Sequence, residues 1–183
     1  MIVLAVLAIA FVVAIAVPSR GGRRPMRDAA RLAMAAAMVF AGVSHFLMPL
    51  PFVQHLPEWV PSRYELIYAT GAVEILLGLG LLGPARHRPK VALALAAYLI
   101  AVFPANVYVT VAGIDIDNQP GGLFAWLRLP LQAVFIGWAL WSVPGAVASA
   151  RPVLGRRRRR RSAGSPSGRH EPGGDAATVR GAR

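Results

Sequence analysis

Apolar runs broken by short polar stretches organise the first 148 residues of the chain. The runs cover Ile2–Val17, Ala29–Met48, Leu66–Leu82, Val91–Ala112 and Leu129–Ala148. The last four reach the length of about 17 to 25 residues that an α-helix needs to cross a bilayer. The first falls just short of that range. The pattern predicts an all-α protein, a transmembrane helix bundle of four core helices with one extra N-terminal transmembrane helix. Three regions follow: the N-terminal helix and basic loop over residues 1–26, the membrane core over 27–150, and a tail over 151–183.

The polar breaks sort by charge. The break before the second run carries Arg20, Arg23, Arg24 and Arg27, with Arg31 close behind. The break between the third and fourth, "PARHRPK", carries Arg86, Arg88 and Lys90, and the tail carries ten arginines. The other two breaks hold only Arg63 and Arg128, against Glu58, Glu65, Asp115 and Asp117. With five spans, 18 of the 20 basic residues fall on one side. Positive charge is retained on the cytoplasmic side. The expected topology in the cell membrane is therefore N-terminus outside and C-terminus cytoplasmic. A cleaved signal peptide would carry its positive charge ahead of the apolar core. Here the arginines follow it, so Ile2–Val17 is expected to be retained.

Composition agrees with this pattern. The chain is 56% hydrophobic and 15% charged, with a net charge of +12. A soluble domain averages about 25% charged residues. There is no cysteine, which excludes disulfides, thiolate metal sites and dithiol redox chemistry. The tail, with its run Arg156–Arg161, is expected to be disordered. Its arginines are expected to touch anionic lipid headgroups of the bilayer. No aromatic residues interleave them and no nucleic-acid-binding fold follows, so no nucleic acid is expected as a partner.

Polar residues inside the runs are the candidate chemistry, because lipid makes each of them costly. Glu74 lies in the middle of the third run. A carboxylate there costs about 2.5 kcal/mol or more. Gly71 and Gly78 share its helical face and allow another helix to approach, so Glu74 should point into the bundle. His45 closes the second run. Asn106 lies in the fourth, beside Pro104, which leaves the Ile100 carbonyl without its helical donor. Gln132 starts the fifth, with Pro130 at a first-turn position and Arg128 four residues earlier on the same face. Counted from the outer surface, His45, Glu74, Asn106 and Gln132 all lie about 6 to 15 Å deep. They are expected to converge in one pocket of the outer half, with Arg128 at its mouth. The proline-rich stretch from Pro49 to Pro61 should fold over that mouth, Trp59 and Tyr64 sitting at the interface.

Other chemistries fit less well. Three metal ligands would converge only if the outer loop carried His55 inward to His45 and Glu74, so no metal is expected. Ser44 and His45 are adjacent on a helix and do not face each other. The glycines from Gly78 to Gly83 lie inside a span with no strand before them, which is not a phosphate loop. No catalytic residue is assigned, and the chain is not expected to be an enzyme on its own. No internal repeat of the kind carriers display is present.

The segments "AGVSHFLMP", "TGAVEILLGLGLLGP", "FPANVYV" and "RLPLQAVFIGWALW", in that order, resemble the DoxX-like family of bacterial membrane proteins across about residues 27 to 143. The resemblance implies a four-helix membrane core and an association with membrane redox or oxidative-stress complexes. It carries His45, Glu74, Asn106, Arg128 and Gln132 over as pocket positions, but no reaction. The function expected from residues and resemblance together is a small membrane subunit or binding module. It would hold a quinone-like or other lipophilic ligand, with a membrane or periplasmic redox protein as partner. The competing expectations are a structural partner protein without a ligand and a small carrier.

Overall fold

The computed structural model describes residues 2–17, 25–116 and 122–149. Six helices account for most of them: α1 (Ile2–Ala16), α2 (Met26–Leu47), α3 (Leu50–Val53), α4 (Arg63–Leu82), α5 (Arg88–Ala112) and α6 (Leu123–Ser142). No strand occurs among the described residues. The helices α2, α4, α5 and α6 are long and apolar enough to cross a membrane. The chain is an all-α, multi-pass membrane protein. At 1.5 Å per residue the 15 residues of α1 rise about 22 Å, short of the roughly 30 Å hydrocarbon core.

Small side chains explain why α2 sits at the centre. Ala29, Ala30, Ala33, Ala35, Ala37 and Ala41 are all buried, which lets α1, α4 and α6 pack against α2. Its pairing with α4 is the most extensive in the bundle, and glycines set the distance. A Cβ on Gly42 would lie 2.5 Å from the Gly71 carbonyl oxygen, and one on Gly71 would lie 2.7 Å from the His45 Cβ. Farther along, a Cβ on Gly78 would lie 2.9 Å from the Ala35 carbonyl oxygen. This stripe of small residues is the contact mode expected where no hydrophobic effect drives helices together.

The long apolar side chains point the other way. Leu76, Ile100 and Val111 are each more than half exposed, as lipid-facing residues are. The bundle's ends differ. At the basic end lie the start of α2, the end of α4, the start of α5 and the end of α6. At the other end, α3 and its flanking prolines cross between α2 and α4. Ser62 joins this crossing to α4 with φ at 52°, a left-handed conformation uncommon outside glycine. The helix α5 stops at Gly113, φ 63°, with the Ile114 N–H returning to the Val109 carbonyl, a C-terminal turn that favours glycine.

The structure corrects one sequence expectation here. Helix α6 begins at Leu123, six residues ahead of its apolar run, so Pro130 lies inside the helix and not in its first turn. Aromatic residues Phe124 and Trp126 extend it through the position of Arg128. The basic residues Arg20, Arg23 and Arg24, Asp117, and the whole tail with Arg156–Arg161 lie outside the described residues.

Candidate functional site

At the α3 end of the bundle, α2, α4 and α5 each bring polar side chains to one buried cluster. His45 is 6% exposed and Glu74 8%. His45 Nε2 lies 3.6 Å from Glu74 Oε2, within ion-pair range but too long for a hydrogen bond. The other ring nitrogen settles the tautomer. His45 Nδ1 lies 3.0 Å from the Ile67 carbonyl oxygen, which can only accept, so Nδ1 carries the proton. The Thr70 hydroxyl donates to the same carbonyl at 2.8 Å and lies 3.2 Å from Nδ1. In the neutral ring, Nε2 therefore turns a lone pair toward the carboxyl group.

Glu74 is satisfied on one side only. The Tyr98 hydroxyl donates to its Oε1 at 2.9 Å. Its Oε2 is buried and has no hydrogen-bond partner. Oε2 and Nε2 thus face each other across 3.6 Å, an ion pair when the imidazole is protonated. Over it lies the Phe52 ring of α3, 3.9 Å from the His45 ring centre and tilted by 49°.

A second tie holds the crossing in place. His55 Nδ1 donates to the Pro51 carbonyl at 2.8 Å, leaving Nε2 to accept from Arg128 Nη1 at 3.0 Å. Burial, then the neighbouring charges of Arg128 and His45, push the His55 pKa down to about 4, against the opposing pull of the Pro51 bond. His55 is thus neutral at ordinary pH, and Arg128 is committed to it.

The expected pocket residues therefore separate into groups. His45 and Glu74 meet, and Arg128 lies in the roof above them. Gln132 points elsewhere: its Nε2 donates to the Leu99 carbonyl at 2.7 Å, next to the carbonyl that Pro104 frees. That bond ties α6 to α5 five residues before Pro104. The Asn106 side chain makes no hydrogen bond to a described residue. One turn on, Thr110 donates to the Asn106 and Ala125 carbonyls, so this stretch too serves the α5–α6 contact. Depth alone placed Gln132 and Asn106 at the site. The Gln132 amide bonds to α5 at Leu99 and makes no bond to the His45–Glu74 pair.

Sequence reasoning missed Tyr98 and Thr70. Thr70 lies four residues before Glu74 and so shares its face. Tyr98 sits far inside a span, where a phenol needs a partner, and either signal would have pointed to it. An apolar groove of about 650 Å³ runs along α5 past Phe103, Pro104, Val107 and Val111. None of the clustered residues lines it. Among the described residues no three of His, Cys, Asp and Glu converge as metal ligands, although the crossing does fold inward and carries His55 with it.

A family model described as a domain of unknown function (DUF8561) matches residues 34–143. The match spans more than half of the chain, which belongs to this family. It takes in the whole of the cluster, from His45 to Tyr98, together with the Arg128 roof. No curated protein and no solved structure matches the chain.

Proposed function

We propose that this DUF8561 member is a small membrane subunit or binding module that holds a quinone-like or other lipophilic molecule against the Glu74–His45 pair. One observation carries the reading: a buried carboxylate oxygen without a hydrogen-bond partner, facing an imidazole nitrogen whose companion nitrogen is already engaged. An intramembrane acid is expensive, and such groups commonly mark ligand or proton sites. Glu74 and His45 contact the ligand and exchange a proton with it. Tyr98 and Thr70 orient the pair, and the His55–Arg128 tie closes the site at the α3 end. The ordered resemblance to DoxX-like proteins supports a link to membrane redox complexes, with a redox protein as partner.

The placement of charge supports a cell-membrane topology with the α3 end outside and the basic end cytoplasmic. That topology puts the N-terminus outside and makes α1 a fifth, short span. The basic tail then lies against anionic headgroups. Titration of the purified protein with a decyl-substituted benzoquinone tests the ligand reading. Binding is expected in the wild type and is lost in Glu74→Gln, which keeps the shape of the side chain. Equal binding by both proteins contradicts it.

A second reading, a structural partner without a ligand, draws on other bonds. Gln132, Arg31 and Trp138 all donate to backbone carbonyls of neighbouring helices, as structural polar groups do in membranes. On that reading Glu74→Gln leaves activity of the parent complex unchanged.

A further inference from the structure

We propose that the α3 crossing is a lipid-contact surface. Residues 47–56 lie flat at the acyl–headgroup boundary of the leaflet at that end, with Leu47, Met48 and Leu50 in lipid. The proposal goes beyond the ligand reading and does not depend on it.

Height is fixed by two bonds between α2 and α4. Arg31 bonds to the Leu81 carbonyl near the basic end, and His45 to the Ile67 carbonyl near the other. On each helix 14 residues separate the two levels, a rise of about 21 Å. Leu47, which ends α2, and Glu65, in the first turn of α4, both lie two residues farther on, at about 24 Å. Glu65 is exposed and needs headgroups or water, so the boundary runs at this height. A hydrocarbon core of about 30 Å, measured from the Arg31 level, reaches it. The crossing does not climb away. Its Phe52 ring lies 3.9 Å from the His45 ring, and His55 is held by Arg128.

The crossing is built for lipid in both side chains and backbone. No Asp, Glu, Lys or Arg occurs between Arg31 and Glu58. Leu47 is 74% exposed, and Met48 and Leu50 face outward with it. The N–H groups of Met48, Phe52, Val53, Gln54, His55 and Leu56 all bond to carbonyls of the crossing or the end of α2. Pro49 and Pro51 have no N–H to satisfy. A loop in water can leave such donors to the solvent, but irregular backbone against lipid cannot. Aromatic rings gather at the same height, as they do at membrane interfaces. Phe46 stacks on Tyr68 at 5.5 Å on the outer surface, and Trp59 is 81% exposed. Amphipathic segments in this plane bury their apolar side by about 5 to 10 Å. The cover over His45 is then part of the lipid boundary and not an aqueous loop.

The chain has no cysteine, so single nitroxide labels can be placed without background. Leu50→Cys, Glu58→Cys and Leu76→Cys are labelled in the full-length protein in phosphatidylcholine liposomes. Leu76 is an outward residue of a span and Glu58 the charged rim, and all three side chains are exposed. Collision with oxygen, which concentrates in lipid, is compared with collision with a water-soluble nickel chelate. The Leu50 label is expected to collide severalfold more with oxygen, as the Leu76 label does, and the Glu58 label to show the reverse. A Leu50 label that prefers the chelate, as Glu58 does, overturns the proposal. The wild type supplies a check free of substitutions. Phosphatidylcholine carrying a diazirine on its acyl chain is expected to photolabel Met48 to Leu50. Labelling confined to the membrane-crossing helices overturns the proposal equally.

Discussion

Arg31 at the basic end and Glu74 toward the α3 end are each 8% exposed, yet their surroundings differ in kind. Arg31 Nη1 donates to the Leu81 carbonyl at 2.7 Å, and Nη2 meets Asp28 at 3.2 Å. Leu81 is in the last turn of α4, where carbonyls lack helical donors and the helix dipole favours a cation. Only its Nε is unpartnered. The neighbouring Trp138 caps the Ala30 carbonyl and packs edge-on against Phe11 of α1. The Arg31 and Trp138 bonds at that end tie neighbouring helices together. Glu74 closes no helix and ties no carbonyl. It accepts from Tyr98 and turns its other oxygen to an imidazole at 3.6 Å. Buried charge alone therefore does not mark a site. Buried charge that the fold does not use is the informative kind.

The comparison can be broken at the seam both ends share. Replacing Gly71 by Leu drives a side chain into the His45 Cβ and the Gly42 carbonyl. A destabilisation of about 3 kcal/mol is expected from such overpacking, visible as a large loss of thermal stability and of ligand binding together. Arg31→Met sharpens the contrast. It leaves the Leu81 carbonyl unpaired, for a loss of about 1 to 3 kcal/mol, while the affinity of the α3-end site stays unchanged. Glu74→Gln should do the reverse, abolishing quinone binding with little change in melting temperature.

The roof responds to pH. The His55 pKa is lowered from 6.5 to about 4 in the folded protein. In this window the unfolded chain, or an undocked crossing, binds more protons than the docked one. Docking stability is therefore full above about pH 6.5 and falls as the pH drops toward about 4. The loss should reach about 1 to 3 kcal/mol. Hydrogen exchange across residues 49–61 is expected to rise on acidification, and His55→Asn should remove most of that dependence. The smallest effect belongs to Gln132→Leu. Losing one interhelical bond should cost about 0.6 kcal/mol, measurable as a slight fall in unfolding temperature without any change at the site.

Much of this contrast was legible in the residues. Run lengths disclosed the four membrane-crossing helices, because bilayer thickness fixes them. Glu74 flanked by Gly71 and Gly78 disclosed an inward-facing acid on a close-packed face. Rotation about the helix axes was not legible. Gln132 lies at the right depth but its amide serves the α5–α6 contact. Tyr98 was overlooked, although a phenol deep inside a span needs a partner, which here is Glu74. The start of α6 was hidden because Arg128 and Pro130 mimic a helix boundary, while Phe124 and Trp126 carry the helix past them.

The central claim is that Glu74 Oε2 and His45 Nε2 face each other directly while His45 Nδ1 stays bound to the Ile67 carbonyl. Nitrogen-15 NMR of histidine-labelled protein tests it without any ligand. The account predicts a proton on His45 Nδ1 in the wild type and in Glu74→Gln alike. It also predicts an Nε2 resonance that moves when Glu74 is replaced and stays put when Gln132 is. An Nε2 resonance indifferent to Glu74, or a His45 without its Nδ1 proton, would contradict it.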